Sequence, residues 1–256
     1  MANYAEVINN NGRVAIDDTL PRMVKTRTTT LAPGYIELEE AYRWGIRGYI
    51  SDDYLFGAYS RYEISLNGNE KFVSIRAKRQ RANVAVFGGF TSSNIYQISL
   101  ISNVTDKNTY AEDFLVDVYG TVPGSGGTNS GLEIFNASGT KIFDSDYYTM
   151  DVVGTYSVVN KNIELFTEAA KSYSIGGHSI TNRAVVINSC INTIYRHPRN
   201  GGMPWASLLY GVVFDSTIHL EMRLINGWLV TQGGGFTPHG YSHSNTGIIL
   251  NTTNIT

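Results

Sequence analysis

The 256-residue chain has little cysteine, little charge and no long apolar run. Its single cysteine, Cys190, excludes an intrachain disulfide and a cysteine-based zinc site. Only 16% of the residues are charged and the formal net charge is -2, so we expect neither a nucleic-acid partner nor binding to an acidic membrane. No apolar stretch approaches the roughly 20 residues that a membrane-spanning helix needs. A hydrophobic content of 42% predicts a globular protein covered by uncharged polar residues.

Motifs that carry catalysis are also missing from the sequence. It contains no phosphate-binding G-x-x-x-x-G-K-[ST], no G-x-S-x-G nucleophile elbow and no H-E-x-x-H zinc motif. His239 and His243 are four residues apart, but they lie in a Gly/Ser-rich segment, whereas metal pairs with that spacing depend on a helix. We therefore expect no enzymatic activity, no metal and no cofactor, and the role of the His239/His243 loop stays open.

One basic cluster, Arg76–Arg81, stands out against the low overall charge. A contact with phosphate or lipopolysaccharide is one interpretation. An exposed strand end followed by a turn is the other, and the cluster lacks the interleaved aromatic residues that stack on bases. The sequence does not decide between the two.

Strand-like patterns fill most of the chain. Short runs rich in β-branched and aromatic residues alternate with polar residues, as in "KFVSIRA", "YQISLIS", "DFLVDVYGTV" and "SLLYGVVF". In the second half, "YTMDVVGTYSVV" and "AVVINSCINTIY" are further runs of this kind. Several short strands per half, separated by turn signals, predict an all-β protein with one β-sandwich in each half.

The two halves of the sequence resemble each other at an offset of 127 residues. Over positions 4–38 the offset gives nine identities, among them Asn9 with Asn136, Gly12 with Gly139, and Ile36-Glu37-Leu38 with the triplet at 163–165. A tandem duplication explains such a fixed offset. We therefore predict a first domain over residues 1–122, a Gly/Ser/Pro linker over 123–130 and a second domain over 131–256.

The repeated unit begins with a hairpin. In both copies Asn and Gly fill the first and fourth positions of a turn, at Asn9 and Gly12 and at Asn136 and Gly139. Asn supplies a side-chain acceptor for the turn amides, and Gly adopts the positive φ that a bulge after a type I turn requires. We interpret these four residues as structural turn residues.

Tyrosine, with 17 copies, is the compositional outlier. Aromatic residues are enriched at protein interfaces and on sugar-binding surfaces, although a β-sheet also favours them. Trp205, Trp228 and Tyr241 are the candidates for a ligand or interface site, with core packing as the alternative.

The hairpin sequences "YAEVINNNGRVAIDDT" (4–19) and "GLEIFNASGTKIFDSD" (131–146) resemble the amino-terminal hairpin of certain small tail proteins of tailed bacteriophages. Those hairpins have an apolar pair, an acidic or amide residue, two apolar residues, Asn or Asp, two small residues and Gly. The first copy departs from the pattern, since Tyr4-Ala5 replaces the usual Gly-Leu. The resemblance covers 16 residues per copy and brings no catalytic residue with it.

What the resemblance implies is a non-enzymatic virion structural protein, made in the host cytoplasm and assembled into the phage tail. A tail-tip, collar or fibre-adaptor subunit is the leading expectation, with a homo-oligomeric ring or trimer and other tail or fibre proteins as partners. A carbohydrate- or receptor-binding module of the particle and a capsid decoration protein are the alternatives.

Overall fold

The structure is a computed structural model that describes residues 6–8, 14–17, 22–34, 36–37, 58–102, 106, 108–123, 131–136, 138–158, 172–189, 192–196, 205–227, 237–238 and 245–253. Up to residue 123 its strands are β1 (Glu6–Ile8), β2 (Val14–Asp17), β3 (Met23–Thr30), β4 (Ile36–Glu37), β5 (Ala58–Ser65), β6 (Glu70–Ala77), β7 (Arg81–Ser92), β8 (Ile95–Ser102) and β9 (Phe114–Thr121). A short 3-10 turn, Ala111–Asp113, precedes β9.

The strands after residue 130 are β10 (Glu133–Phe135), β11 (Lys141–Asp144), β12 (Asp151–Val158), β13 (Ser172–Ser179), β14 (Arg183–Ser189), β15 (Asn192–Arg196), β16 (Trp205–Phe214), β17 (Thr217–Gly227), β18 (Thr237–Pro238) and β19 (Asn245–Asn251). The predicted all-β fold class is confirmed. Residues 124–130 lie outside the described residues, so the linker stays a prediction.

Two antiparallel sheets form the body of the molecule. The six-stranded sheet has the order β12-β19-β14-β6-β9-β3. The nine-stranded sheet has the main order β13-β17-β16-β7-β8-β5-β4, with β15 and β18 attached through β16. The short hairpins β1–β2 and β10–β11 form two further sheets of their own.

Strands of the two halves follow the same path through both sheets. From its edge inwards, the six-stranded sheet reads β3, β9, β6 in the first half and β12, β19, β14 in the second. Apart from the edge strand β4 and the attached strands β15 and β18, the larger sheet likewise reads β5, β8, β7 in the first half and β13, β17, β16 in the second. The halves join through the antiparallel pairs β6–β14 and β7–β16, so they share both sheets.

The two short hairpins also correspond residue by residue. Glu6 pairs with Asp17 in the first, and Glu133 pairs with Asp144 in the second. The register shifts at the same step, after Val7 and after Ile134. These matched registers and the matched strand order support the predicted duplication, although common descent itself stays a prediction.

The main hydrophobic core lies between the two sheets. Alternate residues supply it, such as Val116 and Val118 from β9, Ile98 and Leu100 from β8, and Val185 from β14, all buried. Full burial of each such side chain stabilises the fold by about 1.5–3 kcal/mol relative to exposure. Because the core draws on both halves, the sandwich is continuous across the boundary at residues 123–130.

The edges of the six-stranded sheet meet where the chain enters β12. The amide of Lys25 donates to the carbonyl of Tyr148 at 2.7 Å, and the amide of Met150 donates to the carbonyl of Met23 at 2.8 Å. Thr149 bridges Val24 between these two bonds. Since β3 and β12 are opposite edges, the sheet curls until they touch at this corner.

Candidate assembly surface

The basic cluster at the end of β6 is paired within the chain. Arg76 Nε donates to Asp117 at 2.8 Å, while Arg79 and Arg81 both donate to Asp113. The Nζ of Lys78 donates to the carbonyl of Glu112 at 2.7 Å. The geometry favours the strand-end interpretation, in which these residues fasten the β6–β7 connection to the 3-10 turn before β9.

Two buried carboxylates tie β3 to its neighbours. Asp117 on β9 accepts from Thr28 Oγ1 at 2.5 Å as well as from Arg76. Glu70 at the start of β6 accepts from Arg27 Nε and Thr26 Oγ1, both at 2.9 Å. Burial alone would raise the pKa of Glu70, but the hydrogen bonds from Arg27, Asn67 and Thr26 outweigh it and the pKa is lowered. These carboxylates are structural ion pairs that anchor the β3 edge.

A third ionic group lies in the hairpin β10–β11. Lys141 Nζ is 3.0 Å from Asp144 Oδ2 and also donates to Glu133. Hydrogen bonds to Glu133 and Asp144 raise the pKa of Lys141. Burial would raise the pKa of Asp144, yet the Asp146 amide and Lys141 lower it. Lys141 and Asp144 therefore keep their charges around neutral pH, and the contacts of Lys141 with Asp144 and Glu133 brace the two short strands.

The turn of this hairpin contains two of the predicted turn residues. Gly139 has φ +79, and its amide donates to the carbonyl of Asn136 at 2.9 Å. Asn136 Oδ1 accepts from the amides of Ser138 and Thr140 at 3.1 and 2.8 Å. The turn residues of the first copy, Asn9 and Gly12, lie outside the described residues.

Of the aromatic and histidine candidates, the described residues include Trp205. Trp205 begins β16, where its backbone pairs with Arg196 of β15. Trp228 and Tyr241 lie outside the described residues, as do His239 and His243. A ligand site at these aromatic residues therefore stays a prediction.

Exposed apolar residues concentrate in one segment. Among the described residues, the large hydrophobic side chains that are exposed are Phe90, Leu132, Phe135, Tyr148, Val152 and Val153. All but Phe90 fall within residues 132–153, and Leu132 is 60% exposed. Exposed apolar groups that form a contiguous patch mark interaction surfaces in soluble proteins, and these five side chains lie close together in the sequence. We call residues 131–158, which comprise β10, β11, β12 and their connections, the apolar segment.

Among the described strands, three that end the main strand orders of the two large sheets carry features that discourage pairing with another chain. β3 bears Lys25 and Arg27 and is partly covered by Tyr148–Met150. β4 has only two residues, and β13 contains a long bulge with Gly176 and Gly177 at positive φ. Charges, short length and bulges are the usual protections of a sheet edge.

The edge strand β12 is different. Asp151–Val158 contains no Lys, Arg or Pro, and its one charge, Asp151, accepts a hydrogen bond from Asn251 Nδ2 at 2.9 Å. A bulge at Val153 interrupts its pairing with β19, after which Gly154–Val158 pairs in continuous register. Thr155 and Ser157 are exposed on one face of this stretch, and Tyr156 is buried on the other. No strand is paired to the outer side of this stretch within the described part of the chain.

The apolar segment was not identified from the sequence as a surface. The run "YTMDVVGTYSVV" predicts the strand but not its place at an edge, because strand order is a tertiary property. The available signal was the lack of Lys, Arg and Pro in β12, which is unusual for an exposed strand.

Comparisons of the chain with protein families, with curated proteins and with solved structures found no match. The residues that the structure describes include no group of three or more His, Cys, Asp or Glu side chains placed to hold a metal ion. Nor do they include a helix long and apolar enough to span a membrane.

Proposed function

We propose that the chain is a non-enzymatic structural protein of a tailed-bacteriophage virion, a tail-tip, collar or fibre-adaptor subunit that acts through protein–protein assembly. The observation that carries the proposal is the apolar segment. Leu132 and Phe135 are exposed on the hairpin whose sequence resembles phage tail proteins. Exposed apolar side chains of this kind are suited to burial against a neighbouring subunit.

The shared architecture of the two halves also supports an assembly role. A chain with two equivalent halves offers two related sets of surfaces, so a ring or trimer of such chains presents twice as many docking positions as subunits. Homo-oligomers and other tail or fibre proteins are the proposed partners, and the phage tail is the proposed location.

The test is mass spectrometry of purified particles from the phage that encodes the chain. Peptides of the chain in mature particles at a fixed stoichiometry are the expected result, and their absence would overturn the proposal. Labelled antibodies seen by electron microscopy would place the chain on the tail. Labelling of the head would instead favour capsid decoration.

A matched pair of variants tests the apolar segment in assembly. L132S/F135S should reduce incorporation of the chain into particles without unfolding it, because both side chains are exposed. Lys71→Ser, an exposed change in the first half, should leave incorporation unchanged. The carbohydrate- or receptor-binding alternative would gain support from a positive glycan array.

A further inference from the structure

The connection between β5 and β6 contains an Asn-Gly step in an exposed turn. Asn67, Gly68 and Asn69 are all exposed, whereas Leu66 and Glu70 on either side of them are buried. The amide of Glu70 closes the turn by donating to the Asn67 carbonyl at 3.1 Å. Water therefore reaches a turn whose two ends are held in the fold.

The turn itself polarises the side-chain carbonyl of Asn67. Its Oδ1 accepts from the amide of Asn69 at 3.1 Å and from the amide of Glu70 at 3.2 Å. Attack on this carbonyl carbon by the amide nitrogen of the next residue develops negative charge on Oδ1, and amide donors placed there stabilise that charge. The next residue is Gly68, which has no Cβ atom to hinder the approach of its nitrogen.

We propose that Asn67 is a modification site, which deamidates spontaneously through a succinimide formed with Gly68. The Gly68 nitrogen loses its proton and bonds to Cγ of Asn67, the Cγ–Nδ2 bond breaks, and the departing amine takes up a proton and leaves as ammonia. Water then adds to one of the two ring carbonyls and opens the ring, which gives aspartate or isoaspartate. Water is the co-reactant, and no oxidant or reductant is needed. The modification does not depend on the proposed virion role.

Two other asparagines have only part of this arrangement. Asn136 Oδ1 also accepts from two amides of its own turn, but the residue that follows it is alanine, whose Cβ atom hinders the attack. Asn226 precedes a glycine, but both residues pair with β16, and this pairing resists the backbone rotation that ring closure requires. Asn67 combines the following glycine, the two donors and an exposed turn. The Asn-Gly steps at 11–12 and 200–201 lie outside the described residues.

Deamidation at this turn weakens the anchor of β3. The Asn67 amide donates to Glu70 Oε2 at 3.0 Å, and the same carboxylate accepts from Arg27 of β3 at 2.9 Å. A carboxylate at residue 67 adds a second negative charge close to that of Glu70. Isoaspartate also lengthens the main chain by one methylene, although the Asn69 carbonyl is fitted so closely against Gly120 that a Cβ atom on this glycine would clash with it. The modified protein should therefore be less stable than the unmodified one.

Peptide mapping by mass spectrometry of the full-length protein, aged at mildly alkaline pH, tests the proposal, and labelling with an isoaspartyl methyltransferase detects isoaspartate. We expect the Asn67 peptide to gain about 1 Da and to contain isoaspartate as well as aspartate, while the Asn136 and Asn226 peptides stay unmodified. Gly68→Ala is the matched control. A Cβ atom there meets nothing within 4 Å, so the turn is kept while the attack is slowed at least about tenfold.

An Asn67 peptide that stays unmodified, while the same peptide of the urea-unfolded chain reacts, would overturn the proposal. Modification of Asn226 as fast as that of Asn67, or of G68A at the wild-type rate, would also overturn it. Aspartate without isoaspartate would indicate direct hydrolysis of the side-chain amide instead of a succinimide. The urea midpoint of the wild type should fall on ageing and that of G68A should not. Equal midpoints of aged and fresh wild type would show that the modification leaves the anchor of β3 intact.

Discussion

Tyr96 donates a buried hydrogen bond of 2.7 Å from its hydroxyl to the backbone carbonyl of Ile187. Tyr96 belongs to β8 in the larger sheet and the first half, and Ile187 belongs to β14 in the six-stranded sheet and the second half. One side chain therefore crosses the core and connects both sheets and both halves. A buried hydroxyl without such a partner would destabilise the fold.

Replacing Tyr96 with phenylalanine should lower the free energy of unfolding by about 1–3 kcal/mol, because the buried Ile187 carbonyl loses its donor. Urea denaturation followed by circular dichroism measures this change. The slope of the transition should stay the same as in the wild type, which distinguishes lost stability from a changed unfolded state. An unchanged midpoint would show that the bond contributes nothing.

Gly88 should be more sensitive to substitution than its neighbour Gly89. A Cβ atom on Gly88 would lie 2.2 Å from the Tyr96 hydroxyl oxygen, whereas one on Gly89 meets nothing within 4 Å. We expect G88A to lose about 1–3 kcal/mol through overpacking, with G89A within about 0.5 kcal/mol of the wild type. Equal effects of the two substitutions on thermal unfolding would contradict the position of the Tyr96 ring against Gly88.

Glu70 should make the fold sensitive to acid. Its pKa in the folded protein is below the ordinary value of 4.5, so its stabilising contribution is present above pH 4.5 and is lost as the pH falls through the lowered pKa. We expect E70Q to lose about 1–3 kcal/mol at pH 7, and the gap to the wild type to narrow as both are titrated below pH 4.5.

The control for Glu70 is the exposed Glu63, which lies 3.9 Å from Arg61 at the surface. E63Q should change stability by less than about 1 kcal/mol at either pH, since exposed ion pairs contribute little. Denaturant midpoints measured from pH 3 to pH 7 give both comparisons. If the difference in unfolding free energy between E70Q and the wild type stays constant with pH, the ionised Glu70 carboxylate does not stabilise the fold in the way described.

Much of the strand content was predictable, because the central strands have a clear two-residue alternation. The run "KFVSIRA" corresponds to β6, and "DFLVDVYGTV" contains β9. β13 was missed because its sequence, "SYSIGGHS", contains two adjacent glycines with positive φ that interrupt the alternation. The run "AVVINSCINTIY" was predicted as one unit and gives two strands, β14 and β15.

The pairing of strands between the two halves was not predictable from the repeat. A duplication indicates two similar units, but it does not show whether their edges remain free or pair with each other. The contacts of β6 with β14 and of β7 with β16 join residues about 110 to 135 positions apart, such as Ile75 with Val185 and Arg81 with Phe214. Local sequence preferences do not encode such pairings. The same limit concealed the position of β12 at the end of the six-stranded sheet.

Arg81 and Arg79 share the carboxylate of Asp113 but should differ in their importance. The side chain of Arg81 is 20% exposed, and its guanidinium lies 4.1 Å from the centre of the Tyr110 ring, whereas Arg79 is 67% exposed. We expect R81M to lose about 2–3 kcal/mol, because a buried carboxylate loses its best partner, and R79M to lose less than about 1 kcal/mol. Urea denaturation midpoints of the two methionine variants measure these losses of stability. A greater loss in R79M than in R81M would contradict the prediction.

Gly139 offers a test of backbone strain without a steric clash. A Cβ atom there would meet nothing within 4 Å, but φ is +79, a conformation that side chains other than glycine adopt at a cost. We expect G139A to destabilise the hairpin by about 1 kcal/mol. Gly68 is the matched control, since a Cβ atom there also meets nothing and its φ lies outside this positive range, so G68A should be neutral or slightly stabilising. Amide hydrogen exchange in β10 and β11 reports on the hairpin itself, and its protection should fall in G139A and remain unchanged in G68A. If protection in G139A equals that of the wild type, the positive φ does not limit the stability of this turn.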